Sequence, residues 1–272
     1  MNKELERKFD KEEFYGWRAK QAMADNYVAI CKQACESATT FNIFKSHPHY
    51  RTILEHVPYS LGVKYLENVK LKNSNLLDTI EQFVHANDQY GSPQTEYFKE
   101  YCKLRMSPTT ARYIKVLSDL ELLFGDMSGK NIVEIGGGYG GLATVINVKY
   151  KAAAYIDIDL EHSARLANKH SKIVGMVNFE AIPPNMVKER LKDLDIDLCI
   201  SNYSFSECNT ETQDFYIENV LKKSKSGYIT HNSSKERADE TFAKLKGYNN
   251  FRIYDLDLCK KQHSIFAWGG NS

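Results

Sequence analysis

The stretch "EIGGGYGGL" places Glu134 two residues ahead of Gly136 and packs Gly136, Gly137, Gly138, Gly140 and Gly141 into six positions. Glycine permits positive φ and puts no Cβ in the path of a ligand, so a turn this bare suits a nucleotide-like molecule at the start of a helix. Two spacings overlap. Gly136, Gly138 and Gly141 fit the G-x-G-x-x-G of dinucleotide sites, and Gly136, Gly138 and Gly140 fit the shorter G-x-G-x-G of S-adenosylmethionine (SAM) sites. The glycines alone leave both open. Glu134 favours SAM, because a dinucleotide turn wants an apolar packing residue there, whereas a carboxylate can face the ammonium of the methionine portion. Asp157 and Asp159 in "YIDIDLE" stand at the end of a second apolar run, where a carboxylate could take both ribose hydroxyls. Either cofactor needs that contact.

A methyl group leaves a sulfonium by in-line displacement, which demands a positioned acceptor, excluded water and, for a hydroxyl, a group to take the proton. Candidates fall in two later stretches. "ISNYSFSE" offers Ser201 and Asn202 as hydrogen-bonding groups for the cofactor or the acceptor, Tyr203 and Phe205 as an apolar wall and Glu207 as an inward-turned base. The plainer alternative makes Ser206 or Asn209 a helix cap and Glu207 part of its solvated first turn. "YITHNSS" supplies His231, the first choice for the base because an imidazole titrates near neutrality, with Asn232 beside it as an acceptor contact. Its alternative is a packed histidine. His85 in "FVHANDQYG" could reach the acceptor from the helical half, although a core histidine is the commoner use of such a position. His47 and His49 of "SHPHY" lack carboxylate support for a metal and read as a loop. Asp193, Asp195 and Asp197 of "KDLDID" begin a strand, the wrong edge for a ligand, and read as a solvated turn. No metal is expected, since the ends of the fourth and fifth strands carry Ser201, Asn202, His231 and Asn232 where a magnesium site wants carboxylates.

These residues need a scaffold, and the chain changes character halfway. Up to about Phe124, apolar residues recur at helical spacing, as in Leu61, Tyr65 and Val69, then Leu76, Ile80, Phe83 and Val84, then Ile114, Leu117, Leu120 and Phe124. Breaks fall at "SHPHY", "HVPYS", "YGSPQ" and "MSPTT", with Ser107 or Thr109 placed to cap the helix ending at Phe124. From Lys130 onward short apolar runs alternate with amphipathic stretches: "NIVEIG", "AAYIDI", "GMVNF", "DIDLCISN", "GYITHN", "FRIYDL" and "HSIFAW". That alternation predicts an α/β fold, a doubly wound, mostly parallel seven-stranded sheet with an N-terminal helical cap. Too little chain separates the last two runs for a helical crossover, so one of them should run antiparallel. The expected division is a cap or substrate region at 1–125 and a SAM-binding domain at 126–272.

Composition limits the partners. Lys and Arg total 36 against 35 Asp and Glu, for a formal charge of +1, and no like-charge run makes a polyanion-binding face. Nucleic acid is therefore not expected. The charged start "MNKELERKFDKEEF" and the absence of a membrane-length apolar stretch point to the cytoplasm. Six cysteines without CxxC spacing read as reduced thiols, Cys31 and Cys35 on one helix face. Self-association into a homo-oligomer stays open.

The segment from about Ser107 to Ser233 resembles the bacterial sugar O-methyltransferase family, through "SPTTARYIKVLSDLELLFGDMSGKNIVEIGGGYGGL", "IDIDLE", "DLCISNYSFSEC" and "KKSKSGYITHNS". The resemblance implies a class I SAM-dependent enzyme of Rossmann-like fold, acting on a sugar hydroxyl of a capsule or O-antigen precursor, nucleotide-linked or part of a glycan. By that family's pattern Asp159 is the ribose-binding carboxylate, ahead of Asp157. Glu180 in "NFEAIPP" is a weak match for the acidic adenine contact common after the third strand. Another polar or phosphate-derived acceptor, or a non-catalytic subunit of the same fold, are the alternatives.

Overall fold

The computed structural model describes residues 11–231, 235–248, 250–255 and 264–270. Seven strands form its main sheet: β1 (Asn131–Ile135), β2 (Ala154–Ile158), β3 (Phe179–Ile182), β4 (Ile196–Asn202), β5 (Ser224–His231), β6 (Arg252–Asp255) and β7 (Ser264–Trp268). Their order across the sheet is β3-β2-β1-β4-β5-β7-β6. The first five run parallel, and β7 lies antiparallel between β5 and β6. This is the class I methyltransferase arrangement, so the expected fold and its single reversed strand hold. One expected strand moves. "GMVNF" turns through Gly175 at φ +75° and leaves Val177 89% exposed, so pairing starts only at Phe179 and runs through "FEAI".

The helices that build the core and the site are α1 (Lys11–Glu36), α2 (Tyr59–Lys72), α3 (Ile80–Asp88), α4 (Pro108–Phe124), α5 (Gly141–Lys149), α6 (Glu161–Ile173), the single turn α7 (Ser204–Glu207), α8 (Thr210–Asn219) and α9 (Lys235–Leu245). Ser107 caps α4, its hydroxyl accepting from Thr110 N–H, and Pro108 fills the first helical position. Almost every side chain of α4 is buried, including Arg112, Lys115 and Asp119. Lys115 and Asp119 pair with each other, and the Tyr228 hydroxyl donates to Asp119 at 2.6 Å.

Strand periodicity divides the core. Ile132, Tyr155, Leu198, Ile200 and Tyr228 join the apolar cluster under α4 and the N-terminal helices. Val133, Ile135, Ile156, Ile158, Cys199 and Ile229 join a second cluster on the opposite face. Two-residue alternation therefore puts Glu134, Asp157, Asn202 and Thr230 on the face toward the N-terminal helices, and Ser201 and His231 on the other. The first cluster runs unbroken from Tyr27 of α1 to the sheet, so the N-terminal helices and the sheet share one core. Cys31, Cys35, Cys102, Cys199 and Cys208 are free thiols, and Cys259 lies outside the described residues.

Candidate functional site

Backbone geometry decides between the two glycine spacings. Gly136, Gly138 and Gly140 hold φ of +79°, +66° and +81°, the left-handed region that penalises any Cβ. Gly141 starts α5 at an ordinary helical angle, and it is small for another reason: a Cβ there would come within 2.5 Å of the Tyr113 ring and 2.7 Å of Tyr139. The turn conformation thus belongs to the G-x-G-x-G spacing.

Carboxylates hold that turn in place. Gly137 N–H donates to Asp157 Oδ1 at 2.8 Å, and Gly138 N–H donates to Asp159 Oδ2 at 2.8 Å. Behind them the Tyr155 hydroxyl donates to Glu134 Oε2 at 2.7 Å. A Cβ on Gly137 would stand 2.7 Å from Asp157 Oδ1 and 2.8 Å from Glu134 Oε2, so the two carboxyls converge on one missing methyl. Crowding three acids into a dry corner opposes their ionisation. Burial pushes Glu134 up to about 7 and Asp159 up to about 6. Burial, then the Asp159 and Glu134 charges, lift Asp157 well above the carboxylate range, and its Oδ2 has no hydrogen-bond partner.

A cleft of about 470 Å³ opens over this corner at the carboxyl ends of β1, β2 and β4. Gly136, Gly138, Asp159, Asn202 and Tyr203 line its floor. Its roof is the "ILEHVP" segment and the start of α2, through Ile53, Leu54, Val57, Leu61 and Tyr65. Leu54 closes on the loop, with Cδ1 2.6 Å from where a Gly138 Cβ would be. Tyr27 of α1 reaches the same space and pairs its hydroxyl with Ser163 Oγ at 2.9 Å. At the mouth stand His56 and Glu207. Partial burial of its ring, then the Arg112 charge, lower the His56 pKa, while a hydrogen bond to the Ile53 backbone and then the Glu207 charge act on it in the opposite sense. Tyr203 holds φ +71° and ψ −36°, strained for a residue with a side chain, and its N–H donates to Thr230 O at 3.0 Å. Such an outlier costs about 1–3 kcal/mol and is typical of ligand sites.

Several expected site residues stand elsewhere. His231 does not face the cleft: it is 1% exposed on the far face of the sheet, where Nε2 pairs with Thr241 Oγ1 at 3.2 Å and the ring packs on Phe266. Ser201 is turned the same way and ties the strand end together, donating to Ile135 O at 2.9 Å and accepting from Phe205 N–H at 3.1 Å. His85 is exposed on α3 and does not line the cleft. Asn232 lies outside the described residues. Glu180 forms an exposed ion pair with Arg190. Asp195 and Asp197 bind Lys225 and, through Asp197, Asn131 N–H at the opposite end of the sheet. Among the described residues no group of three or more His, Cys, Asp and Glu side chains has a metal-holding arrangement, and no helix is long and apolar enough to cross a membrane.

Sequence reasoning missed the roof and Arg112. Arg112 is 9% exposed on α4 and lines the cleft, its guanidinium 5.4 Å from the Tyr113 ring. The available signals were the "HVPYS" break, read only as punctuation, and a cation on a mostly buried helix whose other buried cation, Lys115, has Asp119 four residues on.

No family model matches the chain, and no curated protein matches it in sequence. Solved structures share its shape. The Thermoplasma acidophilum 1320 protein aligns over 71% of this chain and 98% of its own, at 13% identity and a TM-score of 0.48. TrmK of M. capricolum, solved with S-adenosylhomocysteine, aligns over 58% and 68%, at 18% identity and 0.41. An rRNA methylase from Streptococcus thermophilus aligns over 54% and 90%, at 14% identity and 0.43. The likeness is one of fold.

Proposed function

We propose that this chain is a SAM-dependent O-methyltransferase that methylates a hydroxyl of a small polar acceptor, a sugar of a surface-glycan precursor. One observation carries the cofactor. The loop N–H groups that would receive a pyrophosphate already donate to Asp157 and Asp159, and Glu134 completes a concentration of acid. A pyrophosphate is repelled by such a corner, whereas a ligand bearing an ammonium and a sulfonium relieves it. The orphaned Asp157 Oδ2 and the raised pKa values are what a pocket built around a cation shows without it. Glu134 and Asp157 would attract the cationic portion, Asp159 would take the ribose hydroxyls, and Tyr27 and Leu54 would cover them. Bound there, SAM supplies an electrophilic methyl group.

This chain's own groups then position the acceptor, exclude water and remove a proton. Ile53, Leu54, Val57 and Leu61 make a dry roof, which strengthens polar contacts beneath it. At the mouth, His56 has a depressed pKa and is neutral near pH 7, so its free imidazole nitrogen can accept the hydroxyl proton. Glu207 beside it would stabilise the imidazolium that results, or take the proton itself. A small acceptor fits the volume better than RNA does. Among the described lining residues Arg112 is the one permanent cation, and a polynucleotide track needs a series of them. The sugar itself rests on the sequence resemblance.

The test is native mass spectrometry of the purified protein for retained cofactor, followed by a screen of nucleotide sugars with methyl-labelled SAM. Labelled O-methyl sugar is the expected product. Label transferred only to RNA would overturn the acceptor, and no binding of SAM would overturn the whole reading.

A further inference from the structure

We infer that Arg112 and Asn202 form an anion seat in the cleft, built for a carboxylate or phosphate oxygen. Arg112 carries a permanent charge into the interior, and its buried Nε–H has no hydrogen-bond partner. None of the ion pairs among the described residues includes it. Leaving a buried charged donor unmet is costly, and an acceptor supplied by a ligand would remove that cost. Asn202 stands beside Arg112 at the end of β4. Its Oδ1 accepts from Thr230 Oγ1 at 3.2 Å, and its buried Nδ2 faces Glu134, whose ionised form that amide stabilises.

Both residues line the main cleft and also a small niche running off it beneath Tyr65 and Tyr203. A buried guanidinium that bonds Tyr113 but leaves its Nε–H without a partner, opening on this space beside the Asn202 amide, calls for a group that only accepts and is negatively charged. The cleft is thereby polarised, with carboxylates under the glycine loop and a guanidinium under the α4 side. Two molecules could supply the anion: the methionyl carboxylate of the proposed cofactor, or an acid group on the acceptor such as a uronate or a sugar-linked phosphate. The first source rests on the SAM reading and the second does not.

Calorimetry separates them, using S-adenosylhomocysteine, 5′-methylthioadenosine, which lacks the carboxylate, and UDP-glucuronate. Arg112→Gln should lose at least tenfold in affinity for S-adenosylhomocysteine or for UDP-glucuronate, and nothing for methylthioadenosine. Loss confined to the first probe names the cofactor as the source, and loss confined to the second names the acceptor. Arg112→Lys should recover part of the loss. Asn202→Asp, which sets a negative charge beside the seat, should repeat the effect even where Arg112→Gln folds poorly. The seat is overturned if variants that melt like the wild type bind both anionic probes unchanged, or if the wild type binds neither. Failure of S-adenosylhomocysteine and methylthioadenosine alone, with UDP-glucuronate binding still dependent on Arg112, overturns the cofactor reading and leaves the seat standing.

Discussion

The floor and the roof of the cleft are made in different ways. In the floor, backbone N–H groups of Gly137 and Gly138 are bonded to carboxylates from the neighbouring strand, so loop, β1 and β2 form one hydrogen-bonded piece. In the roof, Ile53, Leu54, Val57 and Leu61 line the cleft with aliphatic side chains, from a segment about eighty residues earlier in the chain. A wall of fixed dipoles selects a ligand by charge, whereas a wall of aliphatic side chains selects by fit and keeps water out. Replacements in the floor should therefore act on cofactor affinity, and those at the roof and mouth on turnover.

The sharpest break in that comparison is Gly138→Val. At φ +66°, with Leu54 Cδ1 already 2.6 Å from the Cβ position, the variant should bind no measurable S-adenosylhomocysteine. Leu54→Ala alone should leave affinity within a few-fold, and it should not rescue Gly138→Val because the backbone strain remains. Rescue would mean that the roof, not the loop, sets affinity. Next in size are the mouth residues. His56→Ala or Glu207→Gln should lower turnover by about 10² to 10⁴ with cofactor affinity unchanged, as expected for a group that acts only in the transition state. If kinetics show neither loss, the hydroxyl proton leaves directly to water.

Asp159→Ala removes the acceptor of the Gly138 and Leu160 N–H groups as well as the proposed ribose contact. Calorimetry should show SAM weakened by about 1.5–3 kcal/mol, the range for hydrogen bonds to a charged group. A smaller effect concerns pH. In the folded protein Glu134 rises from 4.5 to about 7 and Asp159 from 3.8 to about 6. Acids with raised folded pKa values contribute stability that is full below the unfolded values near pH 4 and disappears as pH climbs through about 6 to 7. Thermal melts of the cofactor-free protein should follow that slope, and Glu134→Gln should flatten it. The least effect is expected of His231→Ala. Losing the Thr241 hydrogen bond and the packing on Phe266 should cost about 1–2 kcal/mol of stability, with affinity and turnover nearly intact.

His231 also shows what the sequence held and what went unread. Its position at the end of β5 was legible, and so was the parity of the strand: Tyr228 and Thr230 face the cleft side, which turns His231 away with Ile229. The same two-residue count separates Asn202 from Ser201. The floor was legible because its signals are local, in glycines that need positive φ and acids at strand ends. "GMVNF" was misplaced because an apolar run does not say which part of it finds a partner strand. The roof was not legible. Nothing local in "ILEHVP" says that it will fold over a loop near residue 138, and Arg112 gains its meaning only from the cavity that α4 borders. Three neighbouring acids were each assigned a contact, but their mutual crowding, which makes the corner hostile to phosphate, appears only when β1 and β2 pair Glu134 with Asp157.

That hostility is the central claim, and titration calorimetry with SAM and with NAD at pH 5.5 and pH 8 tests it most directly. The account predicts that SAM binds, that its affinity rises between the two pH values as the carboxyls ionise and gain a cation, and that NAD does not bind at pH 8, where the ionised carboxyls repel its pyrophosphate. Binding of NAD without SAM, or SAM affinity that falls as the carboxyls ionise, would contradict it.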